Sequence, residues 1–310
     1  MLNVAVGVIR NEQGDVLISQ RAEQAHQGGL WEFPGGKLEA RETIFQALKR
    51  ELSEELGVNI SRATPLVRIK HQYTDVEVML EVLVVTSYEG DARGLEGQPV
   101  KWVNTSELKN YNFPAANQRI IRALQLSKYY PIIDSCSGTF EQLLEQLKYL
   151  IGQGYTMVQL RAKGVPYSCF KSLAIRAIKM SKAHGVNLYL NSSISTALKL
   201  GATGVHLSSK RLSEMTGPIK QGAISLAVSC HCENSLKKAE LVDADFAVLS
   251  AVKATTSHPS AKPLGWAKFS TLAENAYCPV YALGGVGLDD IKIAESHGAQ
   301  GVAGISGFLI

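Results

Sequence analysis

Gly36-Lys37-Leu38-Glu39-Ala40-Arg41-Glu42 and, after seven intervening residues, Arg50-Glu51-Leu52-Ser53-Glu54-Glu55-Leu56-Gly57-Val58 form the stretch that organises the first part of this chain. Its apolar spacing predicts a helix over Thr43 to Leu56. Thr43 is placed to cap it, with Gln46 completing a capping box, and Ile44, Ala47, Leu48 and Leu52 line one face. Gly57-Val58 reads as a Schellman stop. On that helix Glu51, Glu54 and Glu55 fall at i, i+3 and i+4, so their carboxylates share a face, and Arg50 is the one adjacent cation. Three glutamates alone also fit an ordinary solvated helix. An unneutralised oxygen cluster, however, suits a hard divalent cation, and Mg²⁺ binds through few carboxylates plus substrate phosphates.

Around the helix, Asn3 to Ile9 and Val16 to Ser19 read as strands separated by an Asn11 to Asp15 turn, Val76 to Ser87 as a long strand, and Gln118 to Leu126 as a helix. This half is α+β. From about Tyr130 the pattern changes to short apolar runs separated by amphipathic stretches. Eight strands are expected: Pro131 to Asp134, Met157 to Leu160, Leu188 to Leu190, Gly204 to Leu207, Ile224 to Val228, Phe246 to Leu249, Val280 to Leu283 and Gly301 to Ile305. Alternating β and α with buried-looking strands implies a parallel sheet, and eight such strands imply a closed (β/α)₈ TIM barrel. The span is about 180 residues against about 250 for that fold, so the last helix is expected to be missing or displaced. Apolar residues from Gly307 to Ile310 are then expected to need cover from the first half or a second subunit, making a homo-oligomer one expectation. The boundary falls between Ser127 and Tyr130, giving domains 1–127 and 128–310.

Composition excludes several classes. With 45% hydrophobic and 19% charged residues the chain is globular rather than disordered or fibrous. Lys+Arg exceeds Asp+Glu by only 32 − 28 = 4, which argues for neither a nucleic acid polymer nor a membrane as partner. The five cysteines show no paired spacing, and Cys230-His231-Cys232 lacks a second ligand cluster for zinc. The start of the chain lacks signal-peptide form, and no apolar run approaches the roughly 18 residues of a membrane span; a cytoplasmic location is expected.

The quoted stretch resembles the Nudix box, G-x5-E-x7-REUxEExGU, at every fixed position. The likeness to the MutT branch of that family continues through Ala5-Val6-Gly7-Val8-Ile9, Arg21-Ala22, Leu30-Trp31-Glu32-Phe33-Pro34-Gly35-Gly36-Lys37, Glu96-Gly97-Gln98-Pro99 and Phe113-Pro114-Ala115-Ala116-Asn117. The resemblance implies a mixed sheet with flanking helices and Mg²⁺- or Mn²⁺-dependent hydrolysis of 8-oxo-dGTP. Glu51, Glu54, Glu55 and Glu96 would then be metal ligands or base, and the Gly35 carbonyl a further ligand. Arg50 and Glu42 would hold the helix and loop, while Arg21, Phe33 and Asn117 would line the nucleotide pocket. Read on their own chemistry, Asn117 offers both donor and acceptor to a base edge and Phe33 apolar surface, though Phe33 also suits a core and Asn117 a helix cap.

The second half resembles thiamine phosphate synthase and the TenI-type tautomerase through Val158-Gln159-Leu160-Arg161-Ala162-Lys163, Gly201-Ala202-Thr203-Gly204-Val205-His206-Leu207, Val228-Ser229-Cys230-His231 and Ala282-Leu283-Gly284-Gly285. Barrels of this kind often grip phosphate after strands 7 and 8, where Gly284, Gly285 and Ser306 lie. Arg161, Lys163 and His231 are the other candidates, and a thiazole or thiamine phosphate the implied ligand. Three departures stand out. Asn191-Ser192 replaces an Asn-Asp pair, Ser208-Ser209-Lys210-Arg211 lacks the acidic residue, and Thr255-Thr256-Ser257-His258 lacks the lysine of a diphosphate loop. Lys210, Arg211 or Lys253 could replace that charge.

Overall fold

The computed structural model describes all residues except 25–26, 75, 219–223, 256–261 and 309–310. The chain forms two compact units, Met1–Gln125 and Leu126–Ile310.

In the first unit the elements are β1 (Leu2–Ile9), β2 (Val16–Gln20), β3 (Trp31–Glu32), β4 (Gly35–Lys37), α1 (Ile44–Leu56), β5 (Asn59–Gln72), β6 (Glu77–Glu89), β7 (Val100–Val103) and α2 (Asn117–Leu124). One mixed sheet runs β4-β1-β6-β5 and a second runs β3-β2-β7. β1 lies parallel to β6 and antiparallel to β4. Alternation along β1 explains its central place: Ala5 and Ile9 pack in one cluster with Leu48 and Leu52 of α1, while Val6 and Val8 pack in the other with Ile120 and Leu124 of α2. The sheet is therefore covered on both faces.

The 14-residue β5 was not expected from the sequence. Its polar pattern and Pro65 argue against a strand, but β5 is the sheet edge and its register shifts between Pro65 and Val67. A proline costs no ladder bond in such a place.

The second unit alternates β8 (Tyr129–Asp134), α3 (Phe140–Gly152), β9 (Met157–Arg161), α4 (Tyr167–Ala183), β10 (Asn187–Leu190), α5 (Ile194–Leu200), β11 (Gly204–Leu207), α6 (Ser209–Glu214), β12 (Ser225–Cys230), α7 (Glu233–Leu241), β13 (Phe246–Ser250), α8 (Gly265–Glu274), β14 (Val280–Leu283), α9 (Ile291–Ser296) and β15 (Gly301–Gly304). The eight strands close a parallel barrel, and all eight coincide with the expected runs to within a few residues. The barrel interior is filled by Tyr130, Tyr189, Phe246 and Tyr281, with Tyr130 and Phe246 centroids 5.1 Å apart. Gly204 is required by that packing, since a Cβ there would lie 2.3 Å from the Tyr189 ring.

Among the described residues, Ile305 to Phe308 after β15 form no helix. Phe308 is nonetheless only 4% exposed, its ring 6.2 Å from Tyr129 and 5.7 Å from Tyr155. The expectation that this stretch needs outside cover is corrected at Phe308, because the barrel buries that ring itself; Leu309 and Ile310 lie outside the described residues. No described helix is long and apolar enough to cross a membrane.

Candidate functional site

Helix α1 is fastened at both ends. Thr43 Oγ1 accepts from the Gln46 N–H and the Gln46 side chain accepts from the Thr43 N–H, completing the expected box. At the other end Gly57 takes φ 69° and donates to the Ser53 carbonyl at 3.0 Å. Between them Arg50 forms a clamp. Its guanidinium donates to both Glu42 oxygens at 2.9 and 3.0 Å, to Glu51 at 2.9 Å, to Glu54 at 3.3 Å and to the Lys37 carbonyl at 3.1 Å. The two-pronged bond holds Glu42 ionised, its pKa lowered to about 2 by Arg50 and the Glu39 N–H.

The glycines beside the helix have steric causes. A Cβ on Gly36 would lie 2.1 Å from the Glu51 carboxyl carbon, and one on Gly35, at φ 143°, would lie 2.1 Å from the Ala5 carbonyl oxygen. The loop behind the helix end is tied to it as well. Gln98 donates to the Glu55 carbonyl at 3.0 Å and accepts from the Glu96 N–H at 2.9 Å, which brings Glu96 beside Glu55. Glu55 is pushed up to about 8, first by burial and then by the charges of Glu51, Glu32 and Glu96, against the hydrogen bond from the Gly35 N–H.

Glu55, Glu96, Gln98, Arg21 and Glu32 line a cleft of about 490 Å³. Arg21 is ion-paired with Glu32 within it. Glu32 was not singled out from the sequence; the signal available was only its place beside the glycine-rich turn. Phe33 and Asn117 lie deeper and do not line the cleft. Phe33 is 2% exposed and stacks on Phe113 at 5.7 Å, and Asn117, 7% exposed, accepts the Phe33 N–H at 3.4 Å. Asn117 opens α2 after Ala116 rather than capping it.

At the C-terminal ends of the barrel strands is a cavity of about 390 Å³ whose lining includes Gln159, Arg161, Lys163, Asn191, His206, His231 and Gly284. Arg161 is ion-paired with Asp134. Gln159 donates to His206 Nδ1 at 3.0 Å and accepts from Asn191 at 3.2 Å, while His206 Nε2 meets Ser229 Oγ at 2.8 Å. His231 Nδ1 donates to the Ser250 carbonyl at 2.9 Å. Gly284 and Gly285 have φ of 94° and 66°. A Cβ on Gly307 would lie 3.2 Å from Gly287 Cα, so the loops after β14 and β15 adjoin. Ser306 is on the second of these loops and exposed.

Of the expected charge replacements, Lys253 is ion-paired with Asp290 at 2.6 Å and Lys210 and Arg211 do not line the cavity. Lys262, missed in the sequence, lines it instead. Thr256, Ser257 and His258 lie outside the described residues.

Burial lowers the His206 pKa to about 3, with Arg161 adding to the effect. Folded His206 is therefore neutral, while the unfolded chain takes up its proton near pH 6.5; this residue's contribution is present above pH 6.5 and is lost as pH falls toward 3. The barrel's urea midpoint is expected to fall over that window and to fall less in His206→Asn. An equal pH slope in the variant would remove His206 as the cause.

Residues 129–308 match the family described as thiamine monophosphate synthase, and residues 5–123 the family described as NUDIX domain. The chain is 39% identical over 124 residues to 8-oxo-dGTP diphosphatase of Escherichia coli (strain K12), covering 40% of this chain and 96% of that protein. It is 34% identical over 186 residues to "Putative thiamine-phosphate synthase 2" of Aquifex aeolicus (strain VF5), covering 60% and 100%. It is also 32% identical over 123 residues to CTP pyrophosphohydrolase of Escherichia coli (strain K12), covering 40% and 90%. With the clamped acidic helix in one unit and a closed barrel in the other, the chain belongs to the Nudix family through its first unit and to the thiamine monophosphate synthase family through its second.

Proposed function

We propose that the first unit is a Mg²⁺- or Mn²⁺-dependent pyrophosphohydrolase that converts 8-oxo-dGTP to 8-oxo-dGMP and diphosphate, a nucleotide-sanitation activity. The carrying observation is that Glu55 and Glu96 share one cleft with Arg21, beside a helix whose other carboxylates are held by Arg50. The donor set, all carboxylate and carbonyl oxygen, suits a hard cation. Among the described residues no three His, Cys, Asp or Glu groups converge enough to hold one ion unaided.

Glu51, Glu54, Glu55, Glu96 and the Gly35 carbonyl would hold the metal, which when bound neutralises the phosphates and lowers the pKa of the attacking water. Arg50 keeps Glu51 and Glu54 in one orientation, and Glu32 orients Arg21 toward the nucleotide. Glu51 or Glu96 accepts the proton of the water. Asn117, whose oxygen accepts the Phe33 N–H behind the cleft, would read the oxidised base through its amide nitrogen.

A hydrolysis screen of the whole chain over 8-oxo-dGTP, dGTP, CTP and thiamine diphosphate tests the substrate. Preferential release of 8-oxo-dGMP is expected, and a thiamine-related or pyrimidine preference would overturn the reading. Asn117→Ala is expected to cost discrimination of oxidised from ordinary guanine by about 1 to 3 kcal/mol. Equal loss on both nucleotides would make Asn117 structural only.

The barrel, in the same proposal, binds a thiazole or thiamine phosphate, with its phosphate at Gly284, Gly285 and Ser306 and His231 as a proton acceptor, and does not form thiamine phosphate. The adjoining loops after β14 and β15 support it.

A further inference from the structure

Residues 31–33 alternate between two sides of the chain. Glu32 turns into the cleft with Arg21, whereas Trp31 and Phe33 pack with the cluster that holds Ile120 and Leu124 of α2. On that second side the segment is zipped to residues 111–117. The Trp31 ring meets the Tyr111 ring edge-on at 5.4 Å, and the Trp31 N–H donates to the Asn112 carbonyl at 2.8 Å. Phe33 stacks on Phe113 at 5.7 Å, and the Phe33 N–H reaches Asn117.

The last of these contacts is the weakest. At 3.4 Å the bond from Phe33 is too long to fix the Asn117 amide by itself, so the amide's position follows from how the 111–117 loop is seated. Phe33 and Phe113 are buried, but the outer end of the zip is half-buried and is closed from a third strand. Lys101 of β7 opposes Ile18 and Trp31 opposes Gln20, so both side chains rise from the same face with β2 between them. The Lys101 ammonium lies 5.0 Å from the Trp31 ring centroid and 5.6 Å from that of Tyr111. A cation drawn to both rings holds them against each other.

We infer that Lys101, Trp31 and Tyr111 are positioning residues for base recognition: their clamp seats the 111–117 loop and through it sets the Asn117 amide where oxidised and ordinary guanine are told apart. This rests on the proposed reading of the first unit as an 8-oxo-dGTP hydrolase. Glu32, Glu55 and Glu96 line the cleft on the other side of residues 31–33, so the clamp acts on selection of the base and not on the phosphate chemistry.

Steady-state hydrolysis of 8-oxo-dGTP and dGTP by the whole chain, with thermal midpoints alongside, tests the clamp. Trp31→Leu is expected to lower the ratio of kcat/KM between the two nucleotides about tenfold, through a raised KM for 8-oxo-dGTP with kcat nearly unchanged. Lys101→Met should lower it about threefold and Lys101→Arg should restore it. Lys101 is exposed, so its replacement does not endanger the fold. In an Asn117→Ala background neither Trp31→Leu nor Lys101→Met should lower the ratio further, because the clamp works through that amide. A lowered thermal midpoint with the parent's ratio intact would overturn the inference, as would a further loss of discrimination in the Asn117→Ala background. A parent chain that hydrolyses both nucleotides alike would instead overturn the reading of the first unit, and the inference with it.

Discussion

Glu51→Gln and Glu54→Gln are each expected to lower kcat for 8-oxo-dGTP hydrolysis by about two to three orders of magnitude, or about 3 to 4 kcal/mol of transition-state stabilisation. A neutral amide keeps the shape of the side chain but supplies neither charge for a metal nor a base. The fold should survive, because Arg50 keeps its two bonds to Glu42 in both variants. Thermal midpoints near that of the parent, measured alongside Mg²⁺-dependent turnover, distinguish lost chemistry from lost structure. Full turnover in both variants would sink the hydrolase assignment to this helix.

Mixed with thiazole phosphate, the pyrimidine diphosphate and Mg²⁺, the protein is expected to form no thiamine phosphate above background while still binding thiazole phosphate. Departure of diphosphate needs its developing charge stabilised, and Ser192 and Arg211 stand where the resemblance would put the carboxylates that hold a metal for this. Cations that bind the anion equally in ground state and transition state would give affinity without acceleration. Robust product formation would mean that cations of the chain itself do the metal's work at the departing diphosphate. Loss of all thiazole phosphate binding would reduce the barrel to a scaffold.

Much of the fold was readable because its signals are local. The capping box at Thr43, the stop at Gly57 and the i, i+3, i+4 glutamates lie within one helix, and hydrogen bonds at both ends reproduce them. The eight barrel strands were readable because a strand covered by helices on one face and filled by side chains on the other is apolar throughout. β5 was not, since its edge position and bulge excuse a proline and charges that an isolated window counts against it. The family resemblances rested on these same stretches, and the matches at residues 5–123 and 129–308 agree with them.

The sequence by itself determined which residue types are available: an acidic helix with one arginine, a barrel with glycine loops after its last strands, and a serine and an arginine where the resemblance would put carboxylates. Only the tertiary structure decided how they pair. That Arg50 gives two bonds to Glu42 and reaches Glu51 and Glu54 depends on a loop folding back over the helix. That Arg21 answers Glu32, that Phe33 turns inward onto Phe113, and that Lys262 rather than Lys253 enters the barrel cavity are likewise results of packing. The physical reason is the same in each case. Local patterning depends on neighbours a few residues away, whereas the charge and exposure of a side chain depend on what the closed sheet or barrel brings against it from far along the chain.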